Sequence, residues 1–306
     1  MTGLFHSTQG RKDVTGQVDL ADTGAVLSVV GEVLAECFPA ADWSSLHALG
    51  DLFDLLYRGE HPDYLGCEAG YHDAGHVRDV TLTYVRLLAG REMRWPEFTL
   101  GPRLVLAGVA AAFLHDAGYL RRRGDRRVAT GAAYTRCHVG RGARLARALL
   151  PTIGLADIAP LSARLIHFTN CAVRPSSLRI ADADERAVGA LLGTADLLSQ
   201  LAEPDYLDRC YYHLYDEFAA SGLAGPAKNS APVAPLYRSR EDLLQRTPQF
   251  IHNLAGPRLE VDFAGTYHYA SVFFQGPNPY LDAIVANCEE LARRTAAGGG
   301  MAAISA

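Results

Sequence analysis

Along the 306-residue chain, apolar positions recur at helical spacing almost from end to end. Val26, Val29, Val30, Val33 and Leu34 fall at the three- and four-residue intervals that put them on one face, predicting a helix over 25–38. A second is expected over 45–57, with Ser44 or Ser45 as its N-cap and Gly59 ending it. Over 73–88, Val77, Val80, Thr81, Tyr84, Val85 and Leu88 share a face, whereas 103–114 is apolar nearly all round, as suits a helix in the middle of a bundle. Residues 139–150 set Val139, Ala143, Ala146 and Leu150 opposite Arg141, Arg144 and Arg147, and Pro151 should stop that helix. Further helices are expected over 161–168, 185–201, 205–220 and 281–294; Tyr206, Cys210, Leu214 and Phe218 mark the buried stripe of the third. Few stretches alternate with period two, and no repeat is visible. The predicted class is all-α.

Composition adds limits to this pattern. Apolar residues make up 49% and charged residues 21%, close to a soluble globular average, which excludes a disordered chain or a fibrous repeat. The formal charge of -5 gives no general attraction to nucleic acid or anionic membranes, so neither is an expected partner. The strongest apolar run, Leu104 to Leu114, falls well short of the roughly 20 residues of a membrane span, and the opening residues lack a signal-peptide run. A cytoplasmic protein is the expectation. Six cysteines without a CxxC pair read as reduced thiols, mostly packed as small apolar groups. Residues 1–20 are polar and Gly-rich, an expected flexible arm; the Pro-rich stretch 221–235 reads as a loop or flap and 296–306 as a flexible tail. Between them lies one expected all-α domain over 21–295, with its core at 65–220, a loop over 221–240 and a C-terminal helical part over 241–295.

Histidines and aspartates supply the candidate chemistry. In Tyr-His72-Asp-Ala-Gly-His76 the two imidazoles stand four residues apart, so on a helix they share a face and can meet one metal, or one metal and its substrate. His115 and Asp116 end the apolar run, where burying both without partners would be very costly; a divalent cation removes that cost by ligating both. Asp196 sits among leucines in Leu-Leu-Gly-Thr-Ala-Asp-Leu-Leu and calls for a cation or a buried donor in the same way.

The order H…HD…D, with the HD pair closing an apolar helix, resembles the HD superfamily of metal-dependent phosphohydrolases. Within it, YHDAGHVRDV (71–80) is similar to the YHNxxHAxDV signature of the class I cyclic nucleotide phosphodiesterases, and TADLL (194–198) to the segment holding that family's last metal-binding Asp. The resemblance covers roughly 65–220. It implies an all-α bundle around a metal site. His76, His115, Asp116 and Asp196 then match the primary metal ligands, Asp116 bridges a second cation, and His72 protonates the leaving oxygen. The implied activity is phosphate ester hydrolysis by a metal-activated hydroxide, with two divalent ions (Mn, Mg, Zn or Fe) as cofactors and a nucleotide-like or other small-molecule phosphate ester as partner. The chain departs from the signature at Asp73, where those enzymes have Asn, at Val77-Arg78, and in Ala-Gly-Tyr after the HD pair. Gln275 is the nearest candidate for their nucleotide-holding Gln.

His138 and His167 lie between the HD pair and Asp196, where other HD proteins place two second-site ligands, and they are further metal candidates. If both ligate iron, the alternative is a mixed-valent di-iron oxygenase resembling the inositol oxygenase type; a catalytically silent nucleotide-binding HD protein is the remaining alternative. Just after the HD pair, Arg121, Arg122 and Arg123 open a run that reads either as a solvated loop or as a rim gathering substrate phosphate through guanidinium forks.

Overall fold

The computed structural model describes residues 11–226 and 234–297, and its elements are nearly all helical. The helices run α1 (Thr23–Cys37), α2 (Ser45–Tyr57), α3 (Ala74–Arg94), α4 (Pro102–Leu114), α5 (His138–Leu149), α6 (Ala159–Leu165), α7 (Ala183–Ala202), α8 (Tyr206–Arg209), α9 (Tyr215–Ala220), α10 (Arg240–Phe250), α11 (Tyr269–Phe273) and α12 (Pro279–Ala297). A π turn over Cys210–Leu214 joins α8 to α9 into one rod, as the sequence stripe anticipated. Local chemistry explains where the rods begin. Asp22, Asp73, Asp182 and Ser239 each accept a backbone N–H of the turn they cap, and Pro102 opens α4, where a missing N–H costs nothing. Ser44 precedes α2 but makes no cap bond; its hydroxyl donates to Asp42 instead. Pro151 does not end the chain's turning, because it sits in the first positions of a 3-10 turn, Leu150–Ile153, that continues from α5.

The centre of the bundle is α3, packed by α1, α4, α7 and α11. It was expected to bury one face; it buries nearly all of them, including Arg78, Asp79, Arg86 and Glu92. The segment ahead of α1 is the reason. Residues 11–20 fell inside the expected arm, yet Val18 and Leu20 are core residues, Arg78 donates to the Leu20 carbonyl, and Arg86 pairs with buried Asp13 at 2.7 Å. Partnered in this way, the polar face of α3 can be covered. The part of the arm before residue 11, most of the tail and the centre of the flap (227–233) lie outside the described residues.

Apolar α4 passes through the core as expected, buried from Val105 to Leu114, and it delivers His115 and Asp116 at its C-terminal end. All six cysteines are free thiols, but only Cys210 is fully buried while Cys137, Cys171 and Cys288 are exposed, so most are not core groups. Among the described residues, no helix is long and apolar enough to cross a membrane.

Candidate metal centre

Four elements bring one side chain or more to a common point. His76 sits in the first turn of α3, fixed there by the Asp73 cap, whose carboxylate accepts the His76 N–H at 2.8 Å. His115 and Asp116 follow α4, Asp196 projects from α7, and His138 opens α5. The turn after Asp116 packs directly on α5: a side chain at Gly118 would strike the His138 carbonyl, and one at Gly142 the His115 carbonyl. Two glycines therefore let the backbone come close enough to seat His138 beside Asp116.

The distances describe a ring of donors around a gap. His115 Nε2 lies 3.2 Å and His76 Nε2 3.7 Å from Asp116 Oδ2; from Asp196 Oδ1 they lie 3.8 Å and 3.3 Å. On the other side, His138 Nε2 is 3.6 Å from Asp116 Oδ1. The ligand atoms of His76, His115 and Asp116 all fall within 4.8 Å of one another. His76 Nε2, His115 Nε2 and Asp116 Oδ2 are buried and have no hydrogen-bond partner. Orphaned polar atoms in a dry interior are expensive, and three converging on one point fit a divalent cation. The far ring nitrogens agree: His115 Nδ1 faces the Ala112 carbonyl at 2.8 Å and His138 Nδ1 the Thr135 carbonyl at 2.6 Å. Donation there would leave each Nε2 lone pair to a cation in the gap, the usual arrangement behind a metal-ligating imidazole.

Charge is concentrated accordingly. Burial alone would raise the Asp116 pKa, but the imidazoles of His115, His72 and His138 hold it well below the ordinary carboxylate range. Burial works against a charged His115, yet Asp116 and Asp196 carry its pKa up to about 9. His138 goes the other way: burial lowers it, and the pull of Asp116 does not make up the difference.

His72 stands at the rim, outside the ring of orphans. Its Nδ1 is 2.5 Å from Glu217 Oε2, and Glu217 Oε1 accepts the backbone N–H groups of Tyr71 and His72. Burial disfavours the imidazolium, but the charges of Glu217 and Asp116 bring its pKa to about 9. The Tyr119 ring stacks on His72 and on His138, with centroids 4.7 and 4.5 Å apart, and limits how either can turn.

The sequence-derived candidates thus divide. His72, His76, His115, Asp116, His138 and Asp196 come together; His167 does not. It lies half-buried in the 3-10 turn Ile166–Thr169, forms no ion pair with the aspartates of the ring, and is held below its ordinary pKa by burial and by Arg147. Arg121 and Arg123 are also committed elsewhere. Arg121 forks onto Glu68 at 2.6 and 2.7 Å, and Arg123 donates to the carbonyls of Gly59 and His61, so both guanidiniums tie loops together. Arg122 lies over the Tyr64 ring, away from the donor ring. Gln275 lines a cavity with Glu92 and Met93. Those residues are at the far end of α3, about 25 Å of helix from His76 at 1.5 Å per residue.

Glu217, Tyr119 and the pair Arg11 and Arg209 were missed. Glu217 carried a signal: it stands three residues after Leu214 on the buried stripe, where a carboxylate is out of place. Arg11 carried none, since its role depends on a contact across 62 residues.

No protein-family model matches the chain, and no curated protein matches it in sequence. Among solved structures it is similar to the phosphodiesterase domain of the RhoPDE fusion protein from the choanoflagellate Salpingoeca rosetta. The TM-score is 0.60 at 18% identity, over 95% of this chain and 96% of that one. At that identity the likeness concerns architecture: the chain has a phosphodiesterase-like all-α fold.

Proposed function

We propose that the protein is a metal-dependent phosphoric ester hydrolase acting on a small nucleotide-like phosphate ester. The observation that carries this reading is the convergence of His76 Nε2, His115 Nε2 and Asp116 Oδ2, buried and unpartnered, with Asp196 Oδ1 closing the ring. His76, His115, Asp116 and Asp196 would hold one divalent cation; Asp116 Oδ1, turned toward His138, would serve a second. Bound cations supply Lewis acidity at phosphorus and acidify water at neutral pH.

The chain's own residues do the rest. Glu217 favours the protonated form of His72, from which His72 can hand a proton to a departing alkoxide, and the carboxylate fixes which nitrogen does so. Tyr119, stacked on His72 and His138, keeps both rings in plane and shields them from water. The architecture shared with the choanoflagellate phosphodiesterase domain agrees with this chemistry. The di-iron oxygenase alternative called for both His138 and His167, and only His138 stands at the ring.

Metal analysis of protein purified without chelator, followed by a phosphate ester screen, tests the proposal. Bound Mn, Zn, Mg or Fe with ester cleavage that a chelator abolishes is expected. Two irons with oxygen consumption and no ester cleavage would replace it by the oxygenase.

A further inference from the structure

We propose that a second site, a cleft between the 121–127 loop and α5, binds a compact multiply charged oxyanion such as a diphosphate group. Arg122, Arg127, Arg141 and Arg144 line it together with Tyr64 and Asp125, around a volume of about 210 Å³. None of the metal-ring residues lines it. The one carboxylate is already engaged: Asp125 is gripped at both oxygens by Arg127, at 2.9 Å each, and accepts the Tyr134 hydroxyl. Arg122 and Arg144 have no hydrogen-bonded or ion-paired partner among the described residues.

With Arg127 paired to Asp125, three guanidiniums without a carboxylate partner still share one cleft and repel one another, and in a chain of net charge -5 they are not a by-product of composition. One of them is also held in place ahead of any ligand. Arg141 lies 3.5 Å over the Tyr134 ring while its Nε and Nη2 donate to the Gly118 and Leu120 carbonyls at 2.7 and 2.9 Å. Arg122 lies 5.7 Å over buried Tyr64. A stacked, tethered guanidinium loses little further freedom on binding, and Arg141 keeps its Nη1 N–H groups for an oxyanion. Arg121 and Arg123, spent on Glu68 and on carbonyls, leave Arg122 between them to meet the polar face of α5. Phosphate oxygens match that geometry through two-point, charge-assisted bonds.

Calorimetric titration of the full-length protein as purified with inorganic pyrophosphate tests the site. Saturable binding is expected, weakened at least about tenfold by the double variant Arg122→Ala/Arg144→Ala, since each contributes charge-assisted bonds. The binding that the cleft variant loses should persist in Asp116→Asn, which separates this site from the metal ring. The control Arg126→Ala/Arg147→Ala removes two exposed arginines outside the cleft and should also leave binding intact. Absence of binding, loss in Asp116→Asn with retention in the cleft variant, or equal weakening by the control pair would each overturn the proposal.

Discussion

Two groups of buried charges lie within one helical turn of each other at the start of α3, and they are settled in opposite ways. On one side, Asp73 and Glu203 face Arg11 and Arg209: Arg11 reaches Asp73 at 2.9 Å and Glu203 at 2.7 Å, while Arg209 reaches them at 3.1 and 3.0 Å. Every carboxylate there meets two guanidiniums. Burial pushes the Asp73 pKa up, yet Arg11 and Arg209 outweigh it and hold the group at about 2. On the other side, Asp116 and Asp196 face only imidazoles, and the nearest atoms stand off at 3.2 to 3.8 Å with no hydrogen bond. Asp79, further along α3, follows neither course: its Oδ1 has no partner, and burial lifts its pKa to about 7. A buried carboxylate can be neutralised by a guanidinium, a cation or a proton; the first serves Asp73, the last serves Asp79, and the proposed cation would serve Asp116. The arginine network also explains Asp73. With two guanidiniums beside it, the charged cap is tolerated where the phosphodiesterase signature has a neutral Asn, and Gly75 leaves Arg11 its path, since a side chain there would meet the guanidinium at 2.6 Å.

The comparison can be broken most sharply at the metal ring. Asp116→Ala should reduce ester cleavage to background while leaving helicity intact, because it removes an unpartnered charge and not a paired one; far-ultraviolet dichroism alongside turnover checks both halves. Next, His72→Ala should slow esters with poor leaving groups by about 10²–10⁴-fold and spare activated aryl phosphates. Equal loss on both substrates would take His72 out of the acid role.

On the paired side the effect should appear in stability. Arg209→Ala strips one guanidinium from Asp73 and Glu203 together and should cost about 3–5 kcal/mol in denaturant unfolding, the range for breaking a buried pair. Asp79→Asn should do the reverse at alkaline pH. The folded protein holds the Asp79 proton up to about pH 7, whereas the unfolded chain releases it near 3.8. This group's contribution is therefore fully present below the unfolded value, is lost as pH rises through that window, and stays lost above it. The variant should flatten the slope and gain no more than about 4 kcal/mol at pH 8. The smallest change expected is in Glu217→Gln. Without that carboxylate, His72 gives up its proton at lower pH, so the alkaline limb of the activity profile should move toward acid; an unmoved limb would remove Glu217 from control of His72.

Helix positions were legible because they depend on local information: apolar spacing, caps and prolines act within a few residues of where they stand. The candidates His115, Asp116 and Asp196 were legible for a related reason, since a charged or imidazole side chain embedded in an apolar helix announces that something must compensate it; His72 and His76 were legible from their four-residue spacing. The all-α class and the order of the ring residues thus follow from the chain read one segment at a time. What the linear order could not decide was which side chains meet. His138 and His167 look alike in sequence, and packing of the Gly118 turn on α5 brings in only the first. Arg121, Arg122 and Arg123 are consecutive, yet Glu68 and two loop carbonyls claim the outer two and leave the middle one free. Residues 11–20 look like an arm until α3 offers Arg78 and Arg86 to be covered. Each of these outcomes depends on contacts between residues far apart along the chain, whose energies exist only once the bundle has closed.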